Sequence, residues 1–500
     1  MLAPRSHLPA EIPGPEVKGL LGPWRQMLRF ANDSIGLSGE LFRAFGPVAA
    51  LVKGGGTRLI SPRPHCPGSV LVYGPDLTQE VATNHEVYHK FHLSGRLHPV
   101  GDDRASRAGL KQFGAGLFAV NEEEHRRHRK LMAPAFYHSG VAEYRGVMAS
   151  ITDEALARWQ PGETLNIQKE MQDIAQAIAS KALFGEDLST QGDEVTGSVQ
   201  DALLMISNPL VRLLPFNIPG LPYRKLLKLA QLSYERTEGI IARRRAFGTG
   251  DDSVLSMLIK ARDEEGGLTE EELNGHVSVL FAAGHETSAN ALTWTLFLLS
   301  QHPKVHADLC DEITTHFKGD PPSIDELEKM PLLERVIKES MRVMPPVPWN
   351  GRICSRETEL GGYRLPAGTE VLASIYHTHH MAELYPQPER FDPSRWETIS
   401  PTGYEYQPFS SGPRICIGAG FAMLEIKIVL AKLLSRFRSE FVPGQTIDVC
   451  GTIVSAPRYG MIMKVCPPDG KFDQSPLGAK GNINSMVELG ERTNQGSVPA

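Results

Sequence analysis

Hydrophobic positions recur with two different periods along the chain, and the change between them separates helical from β-rich parts. Helical spacing dominates residues 77–340 and returns in 421–437. Short apolar runs with β-branched residues, bounded by Gly and Pro, predict strands within 48–52, 69–73, 345–396 and 452–465. A helix-rich chain with a small, separate β-rich portion is mainly α, of the α+β class.

One long helix is predicted with defined ends. Thr269 followed by Glu272 is a capping box that starts it, and His302-Pro303 ends it after about Gln301. At ~1.5 Å per residue the helix is ~45 Å long, enough to cross a domain. Residues 277–299 are nearly all apolar, which fits a buried core helix or, as a second interpretation, a membrane span.

The middle of this helix carries polar residues at 284–288, Gly-His-Glu-Thr-Ser. A helix that faces lipid would not carry this set. A buried core helix disfavours it as well, unless the polar groups have a chemical role. The segment is therefore a candidate functional site on physical grounds.

Composition narrows the class of protein. The 500 residues are 41% hydrophobic and 22% charged, which is typical of a globular protein, and the net charge of -6 without a long basic run argues against a nucleic-acid partner. Six cysteines without a C-x-x-C pair indicate neither a disulfide framework nor a cysteine-rich zinc site. Residues 1–23 lack the apolar core of a signal peptide. We expect a soluble, cytoplasmic protein without a transmembrane anchor.

The segment 409–418, F-S-S-G-P-R-I-C-I-G, is the second unusual stretch. Gly412 and Gly418 leave room for a large flat group to approach the backbone, and Arg414 offers a guanidinium to a carboxylate. Cys416 lies just before a predicted helix, whose positive end favours a thiolate. Together these features fit the edge and the iron of a haem, although a lone cysteine is more often an inert buried side chain.

This segment matches F-x-x-G-x-R-x-C-x-G, and the chain resembles the cytochrome P450 family over about residues 12–465. The resemblance implies haem b between the long central helix and the cysteine loop, with Cys416 as axial ligand of the iron and Phe409 packed near the sulfur. It also implies a single domain over 1–466. Residues 467–500, rich in Gly, Asn, Ser and Pro, are predicted to be a disordered tail.

The resemblance gives the mid-helix segment an oxygen-activating role. It implies that Gly284 lets the helix open beside the iron, that Thr287 donates a hydrogen bond to dioxygen, and that Glu286 relays protons. Cleavage of the O–O bond needs protons, so an acid beside an alcohol is sensible chemistry. Ser288 stands where the family often has Thr.

A structural cluster is implied as well. Glu339 and Arg342 resemble the E-x-x-R motif of the family, with Arg395 as the third member, on the proximal side of the haem. The spacing alone is weak, because Glu123 and Arg126 share it and such pairs are usually solvated helix faces. Ser394 stands where the family commonly has Glu.

Cations are implied for the two haem propionates: His125, Arg129, Arg352 and Arg414. His125 stands where the family often has Trp. Arg126, Arg127 and Lys130 are expected to point outward, as a docking patch for an acidic electron donor. The histidine-rich stretch 377–380 could suggest zinc, but it lacks a carboxylate or cysteine companion at an obvious spacing, so we reject that interpretation.

The hypothesis is a haem-thiolate monooxygenase that hydroxylates or epoxidises a lipophilic small molecule with dioxygen. The regions that contact substrate in the family, 113–120, 203–223, 347–350 and 453–456, are mostly apolar here, which favours a fatty acid, terpenoid, steroid or polyketide. The stretch 210–221 is a candidate for weak contact with a membrane surface. No flavin or nucleotide motif remains, so electrons are expected from a separate ferredoxin or flavodoxin with its reductase, as in soluble bacterial-type members.

Two alternatives stay open. One is a peroxide-driven enzyme or an isomerase on the same fold, and the other is a non-catalytic haem-binding or ligand-sensing protein. Both fit less well with the acid-alcohol pair Glu286-Thr287, which neither needs.

Overall fold

The computed structural model describes most of the chain. The described residues are 7–19, 21–61, 65–91, 108–136, 144–185, 201–202, 205–206, 210–211, 214, 216–248, 250, 253–263, 267–318, 321–451, 453–472 and 476–490. Helices dominate them, in agreement with the predicted mainly-α, α+β class. The helices are α1 (Gly22–Asn32), α2 (Ser34–Phe45), α3 (Pro75–Thr83), α4 (Ala108–Ala115), α5 (Glu122–Met132), α6 (Arg145–Leu156), α7 (Ile167–Phe184), α8 (Pro222–Phe247), α9 (Val254–Asp263), α10 (Glu270–Gln301), α11 (Pro303–His316), α12 (Ile324–Glu328), α13 (Pro331–Val343), α14 (Ile375–His379) and α15 (Ala419–Arg436).

Short strands form the β-rich portion. They are β1 (Val48–Ala50), β2 (Ser69–Val72), β3 (Tyr88–His89), β4 (Thr164–Asn166), β5 (Trp349–Cys354), β6 (Thr358–Leu360), β7 (Tyr363–Leu365), β8 (Glu370–Ser374), β9 (Arg438–Phe441), β10 (Val449–Cys450), β11 (Ala456–Pro457) and β12 (Ile462–Cys466). The main sheet has the order β1-β2-β8-β5-β3, in which β2 and β8 run parallel and the other pairs antiparallel. A second sheet joins β4, β12 and β9, and two hairpins pair β6 with β7 and β10 with β11.

The predicted long helix is α10, and its start follows the sequence signal. Thr269 Oγ1 accepts from the backbone N–H of Glu272 at 3.2 Å, while Glu272 Oε2 accepts from the backbone N–H of Thr269 at 2.7 Å. This reciprocal pairing satisfies two backbone donors that a helix start leaves unpaired. The helix ends at Gln301, immediately before His302-Pro303, as predicted.

Helix α10 is the centre of the core. Its carboxyl-terminal half, residues 288–301, is entirely buried, and Trp294 and Phe297 belong to the largest apolar cluster together with residues of α7, α13 and α15. The buried-core interpretation of its apolar sequence is therefore confirmed. Among the described residues, no helix combines the length and the apolar character that crossing a membrane requires.

The end of the chain differs from the predicted disordered tail over residues 476–490. Ile483, Met486 and Val487 are buried in the main core cluster. The backbone N–H of Gly478 donates to Gln301 Oε1 at 2.6 Å, and Tyr376 Oη donates to the carbonyl of Met486 at 3.3 Å. Three apolar residues at helical spacing are enough to anchor a segment whose average composition is polar. Residues 491–500 lie outside the described residues.

Candidate active site

Cys416 lies on a tight loop between the 3₁₀ turn Gly412–Arg414 and α15. Gly412 has a φ of 65°, and a Cβ atom there would lie 3.1 Å from the carbonyl oxygen of Ala82. Both features favour glycine at this position. The backbone N–H of Cys416 donates to the carbonyl of Phe409 at 2.8 Å, which closes the loop. The loop thus brings the cysteine to the amino end of α15.

The environment of the Cys416 thiol combines access with enclosure. Solvent reaches the side chain, yet burial among protein atoms raises the pKa of the thiol, and the N–H of Gly418 and the charge of Arg129 lower it only in part. The expected help from the helix start is therefore present but smaller than the cost of burial. A cation bound to the sulfur would reverse this balance.

One window of α10 is accessible to solvent. Residues 282, 284, 286 and 287 are partly exposed and Ala283 is exposed, whereas residues 288–301 are buried. Thr287 Oγ1 donates to the carbonyl of Ala283 at 2.9 Å. Burial raises the pKa of Glu286, so its carboxyl group holds a proton to a higher pH than usual. The acid and the alcohol predicted from the sequence therefore lie side by side at this window.

Gly284 does not take the position expected from the resemblance. A Cβ atom on it would lie 3.3 Å from Leu183 Cδ1 and 3.7 Å from Ala179 Cβ, both on α7. The helix is also continuous from Glu270 to Gln301. Gly284 thus permits close packing of α10 against α7, and the exposed neighbour is Ala283.

A buried acid joins α10 to the helix that follows the cysteine loop. Ser288 Oγ donates to Glu425 Oε2 at 2.7 Å, and Glu425 is fully buried on α15. Its second oxygen, Oε1, has no hydrogen-bond partner among the described residues. Burial raises the pKa of Glu425 to about 8, against which the Ser288 hydroxyl acts only in part. Sequence reasoning did not identify this residue, because an acid in an apolar helix carries no motif.

The four predicted propionate ligands form a cationic group around the cysteine loop. Arg414 donates to the carbonyls of Leu117 and Val120 at 3.2 and 2.6 Å, and Arg129 donates to the carbonyl of Ile415 at 2.7 Å. Arg352 is 2% exposed and leaves Nη2 without a partner among the described residues.

Burial and the neighbouring positive charges lower the pKa values within this group. Burial, and then the charge of Arg414, lower the pKa of Arg352 to about 9. Burial, followed by the charges of Arg414 and Arg129, lowers the pKa of His125 to about 3, so this histidine is neutral. Among the described residues no carboxylate forms an ion pair with these three arginines or His125. Arg352 is thus a buried cation without a carboxylate partner among the described residues, and such a cation calls for an anionic ligand.

Lys90 belongs to the same group, although the sequence analysis missed it. Asn121 connects Lys90 to Arg414, because its side-chain oxygen accepts from the backbone N–H of Lys90 at 2.7 Å and from Arg414 Nη2 at 3.0 Å. Burial, then the charges of Arg352 and Arg414, hold the pKa of Lys90 well below its usual value. Little in the sequence indicated this contact, because Asn121, just before α5, is thirty-one residues from Lys90.

The predicted structural cluster is formed around Glu339, which is fully buried. Arg342 donates to both of its carboxylate oxygens at 2.9 Å, and Arg395 Nε donates to Oε1 at 2.8 Å. Trp396 Nε1 adds a bond to Oε2 at 2.9 Å. By contrast, the pair of the same spacing, Glu123 and Arg126, lies on a solvated face, with side chains 81% and 65% exposed.

Two surface expectations meet different outcomes. Arg126 and Lys130 are exposed on α5, as expected of a docking patch. Arg127 instead turns inward, where it contacts Glu272 and the carbonyl of Gly267.

The histidines of 377–380 each have a protein partner: His377 bonds Ser374, His379 accepts from the backbone of Gln407, and His380 bonds the carbonyl of Tyr376.

The apolar regions expected at the substrate are described only in part. Phe118 and Ile453 expose large apolar side chains, 61% and 51%, as do Leu210, Phe216 and Ile218 in the stretch named for surface contact. Residues 203–204, 207–209, 212–213 and 215 lie outside the described residues.

The residues present fit a haem. A glycine-containing loop carries an accessible cysteine, and the cations around it include the buried Arg352, whose Nη2 has no partner among the described residues. A flat dianionic group with a central iron meets both requirements, because the sulfur can bind the metal and the cations can pair with its carboxylates. The individual assignments within this site stay predictions.

Comparison with known proteins identifies the family. The sequence profile described as Cytochrome P450 matches residues 69–459. Pentalenene oxygenase of Streptomyces avermitilis is 32% identical over 74% of this chain and 81% of its own length. Cyclooctat-9-en-7-ol 5-monooxygenase of Streptomyces melanosporofaciens is 31% identical over 79% of this chain and 84% of its own length.

The fold is shared with a solved structure, that of retinoic acid bound cyanobacterial CYP120A1. The TM-score is 0.75 at 24% identity, and the match covers 92% of this chain and 100% of the other. At that identity the likeness concerns the fold.

Proposed function

The chain belongs to the cytochrome P450 family, and on that premise we propose that it hydroxylates or epoxidises a terpenoid, using dioxygen and electrons from a separate protein. The family makes it a haem-thiolate monooxygenase. The proposal rests on two observations: Cys416 is accessible, and an acid and an alcohol, Glu286 and Thr287, follow one another in the accessible part of the central helix.

Different residues would bind the iron and the propionates of the cofactor. Cys416 would be the ligand of the iron, and there is space at Gly418, where the nearest atoms to an added Cβ are Phe136 Cε1 at 3.9 Å and the Cys416 sulfur at 4.0 Å. Arg352, Arg414, Arg129, Lys90 and the neutral His125 would hold the propionates. Haem bound in this way supplies dioxygen activation, which the thiolate ligand favours.

Proton delivery falls to the α10 window. The raised pKa of Glu286 lets its carboxyl group hold a proton to a higher pH than usual, and the Thr287 hydroxyl, now bonded to the carbonyl of Ala283, can turn to another acceptor. Hydroxyl groups exchange such bonds at small cost, and a positioned acid near its working pH is an efficient donor. A second acid, Glu425, has a pKa raised to about 8 by burial and accepts a hydrogen bond from Ser288 Oγ on α10.

Of the four substrate classes that an apolar pocket would accept, terpenoids are the one that the relatives favour. Two relatives are named for the oxidation of pentalenene and cyclooctat-9-en-7-ol, both of which are terpenoid skeletons. Such skeletons lack charges, so a pocket that receives them needs apolar walls and shape more than hydrogen bonds. The exposed apolar side chains Phe118 and Ile453 are suited to such walls.

A binding and turnover experiment tests the proposal. The purified haem protein is titrated with sesquiterpene hydrocarbons, diterpene alcohols, a long-chain fatty acid, a sterol and a macrolide aglycone while the haem spin state is followed. Compounds that shift it are then turned over with a surrogate ferredoxin and its reductase under isotopically labelled dioxygen. A terpenoid product with one labelled oxygen atom supports the proposal. Turnover only with peroxide, or only of a fatty acid or sterol, contradicts it.

The electron donor and the location complete the proposal. A ferredoxin or flavodoxin with its reductase suits a chain that has no flavin-binding or nucleotide-binding motif. Arg126 and Lys130 lie exposed on the helix that carries His125 and Arg129, where an acidic donor would approach the cofactor. Cys310, Cys354, Cys416, Cys450 and Cys466 are free thiols, which suits the reducing cytoplasm.

A further inference from the structure

A second group of potential metal ligands lies where α5 meets the first turn of α10. Glu124 and His128 are four residues apart on α5 and share a face of that helix, and Glu272 is the third residue of α10. One ligand atom from each of the three lies within 4.8 Å of the other two. Glu124 is exposed and His128 is fully buried, so the group leads from the surface into the helix interface.

Two of these side chains direct their acceptors at the same cation. His128 Nε2 and Glu272 Oε1 are 2.9 Å apart, and both contact Nη2 of Arg127, the imidazole nitrogen at 2.8 Å. If Nε2 carries a proton, it faces an arginine N–H. If it carries none, its lone pair faces a carboxylate oxygen. The arrangement is that of an imidazole and a carboxylate that converge on a positive charge.

Arg127 can leave this position while the acceptors remain. Its side chain is 37% exposed, and apart from this cluster it donates to the carbonyl of Gly267 at 3.0 Å. Glu272 is fixed independently, since its Oε2 accepts from the backbone N–H of Thr269 at 2.7 Å in the capping box. Oε1 therefore keeps its direction when the guanidinium swings into solvent.

We propose that Glu124, His128 and Glu272 bind a divalent transition-metal ion, best matched by Zn²⁺, which takes the place of the Arg127 guanidinium. One imidazole and two carboxylates suit Zn²⁺, and a water molecule can complete a tetrahedron. Because Glu124 is exposed, rotation of its side chain is enough to bring its oxygen to the ion. This site does not involve the haem iron, and it stands whether or not the proposed substrate class is correct.

The bound ion would join two helices that carry the candidate active site. Helix α5 holds His125 and Arg129 beside the cysteine loop, and α10 holds Glu286 and Thr287 four turns beyond Glu272. A metal bridge at their contact would resist separation of α5 from α10. We therefore expect Zn²⁺ to raise the melting temperature of the haem-loaded protein.

Calorimetric titration of Zn²⁺ into the haem-loaded full chain tests the site with matched variants. Glu124→Gln removes a ligand and should weaken binding about tenfold or more. Glu123→Gln removes the neighbouring exposed acid, which pairs only with Arg126 among the described residues, and should leave the affinity unchanged. Arg127→Gln removes the competing cation and should tighten binding, whereas Arg126→Gln, which removes the same charge one residue away, should not.

The variants distinguish this site from adventitious binding, because Glu124→Gln should weaken Zn²⁺ binding and Arg127→Gln should tighten it. Equal affinity in Glu124→Gln and the unchanged protein would place the ion elsewhere and overturn the proposal. So would equal gains in Arg127→Gln and Arg126→Gln, because these would reflect net charge alone. The absorption spectrum of the haem, measured in every variant, verifies that the fold and the cofactor are retained.

Discussion

Thr287 is the residue on which the proposed chemistry depends most closely. Its hydroxyl is already oriented by the carbonyl of Ala283, one turn earlier on α10, and it lies next to a carboxyl group whose pKa is raised by burial. The acid and the alcohol are therefore consecutive residues in the accessible part of the helix, and the hydroxyl has a defined orientation.

Thr287→Ala should separate electron consumption from product formation. Without the hydroxyl the proton path is interrupted, so reductant is consumed while dioxygen is released as peroxide. Product per electron should fall about tenfold or more, since a positioned proton donor contributes about 10²–10⁴-fold to a rate. Thr287→Ser retains the hydroxyl and should keep most of the coupling. The measurement is product and peroxide per reductant consumed. Unchanged coupling in the alanine variant would remove Thr287 from the mechanism.

Lys90 makes a prediction about the cofactor itself. Lys90→Met keeps the length of the side chain and removes one of the cations proposed for the propionates, so transfer of haem to an excess of apomyoglobin should be about tenfold faster, as expected from loss of one partly buried ion pair. Lys130→Met, which removes an exposed lysine of α5, should transfer haem at the unchanged rate. Equal rates in both variants would exclude a contact between Lys90 and the propionates.

Glu339 shows how one buried side chain organises several elements. It accepts from Arg342 on its own helix, from Arg395 and Trp396, and from the backbone N–H of Asp392 at 3.0 Å. Arg342 in turn binds the carbonyls of His379, Pro388 and Arg390, between 2.8 and 3.0 Å. The cluster therefore fixes the irregular segment between α14 and the cysteine loop against α13.

Glu339→Gln should destabilise the fold severely. It removes the negative charge while two arginines stay buried, a change that typically costs about 3–5 kcal/mol of the free energy of unfolding. Glu334→Gln, on the same helix, breaks partly exposed pairs with Lys338 and Lys427, and should cost about 1 kcal/mol. Urea unfolding of the haem-loaded proteins compares them. A similar small loss in both would show that the cluster contributes little.

At the scale of elements, local signals predicted the fold where one residue determines the outcome. Thr269 and Glu272 defined the start of α10, and His302-Pro303 defined its end, because capping and proline geometry act over three or four residues. The role of Gly284 could not be predicted, since it depends on Leu183 from another helix. Lys90 escaped detection for the same reason: its partners come from three separate segments.

The end of the chain carries a similar lesson. Composition averaged over 467–500 indicated disorder, yet Ile483, Met486 and Val487 lie on one face and are buried. Spacing of the few apolar residues was the better signal, but only a known core surface shows whether such a face finds a partner.

Across the whole molecule, buried neutral histidines set the response to acid. Burial lowers the pKa of His276, His306 and His379 from 6.5 to about 3. Between these values the unfolded chain binds more protons than the folded one, so the free energy of unfolding falls as the pH falls below 6.5. Glu425 acts in the opposite sense: its pKa, raised from 4.5 to about 8, makes the folded state bind the extra proton and stabilises it toward acid.

The net effect is testable by urea unfolding at several pH values. Each histidine whose pKa is lowered to about 3 loses about 1 kcal/mol from pH 6.5 to 5.5, whereas Glu425 returns only about 1, so the free energy of unfolding should fall by several kcal/mol. His306→Phe should reduce this fall by about 1 kcal/mol, because the contribution of one histidine is removed. Glu425→Gln should steepen it and remove the decline in stability that the carboxyl group causes between pH 6.5 and 8. A stability that does not depend on pH in this range would contradict the assignment of neutral histidines.

The central claim is that Cys416 binds the iron of a haem as a thiolate. The most direct measurement is the absorption spectrum of the purified, reduced protein with carbon monoxide, compared with that of Cys416→Ser. We predict a red-shifted Soret band of the thiolate-ligated type in the unchanged protein and its loss in the serine variant. A band at the shorter wavelength typical of histidine ligation in the unchanged protein, or the same red-shifted band in Cys416→Ser, would contradict the account.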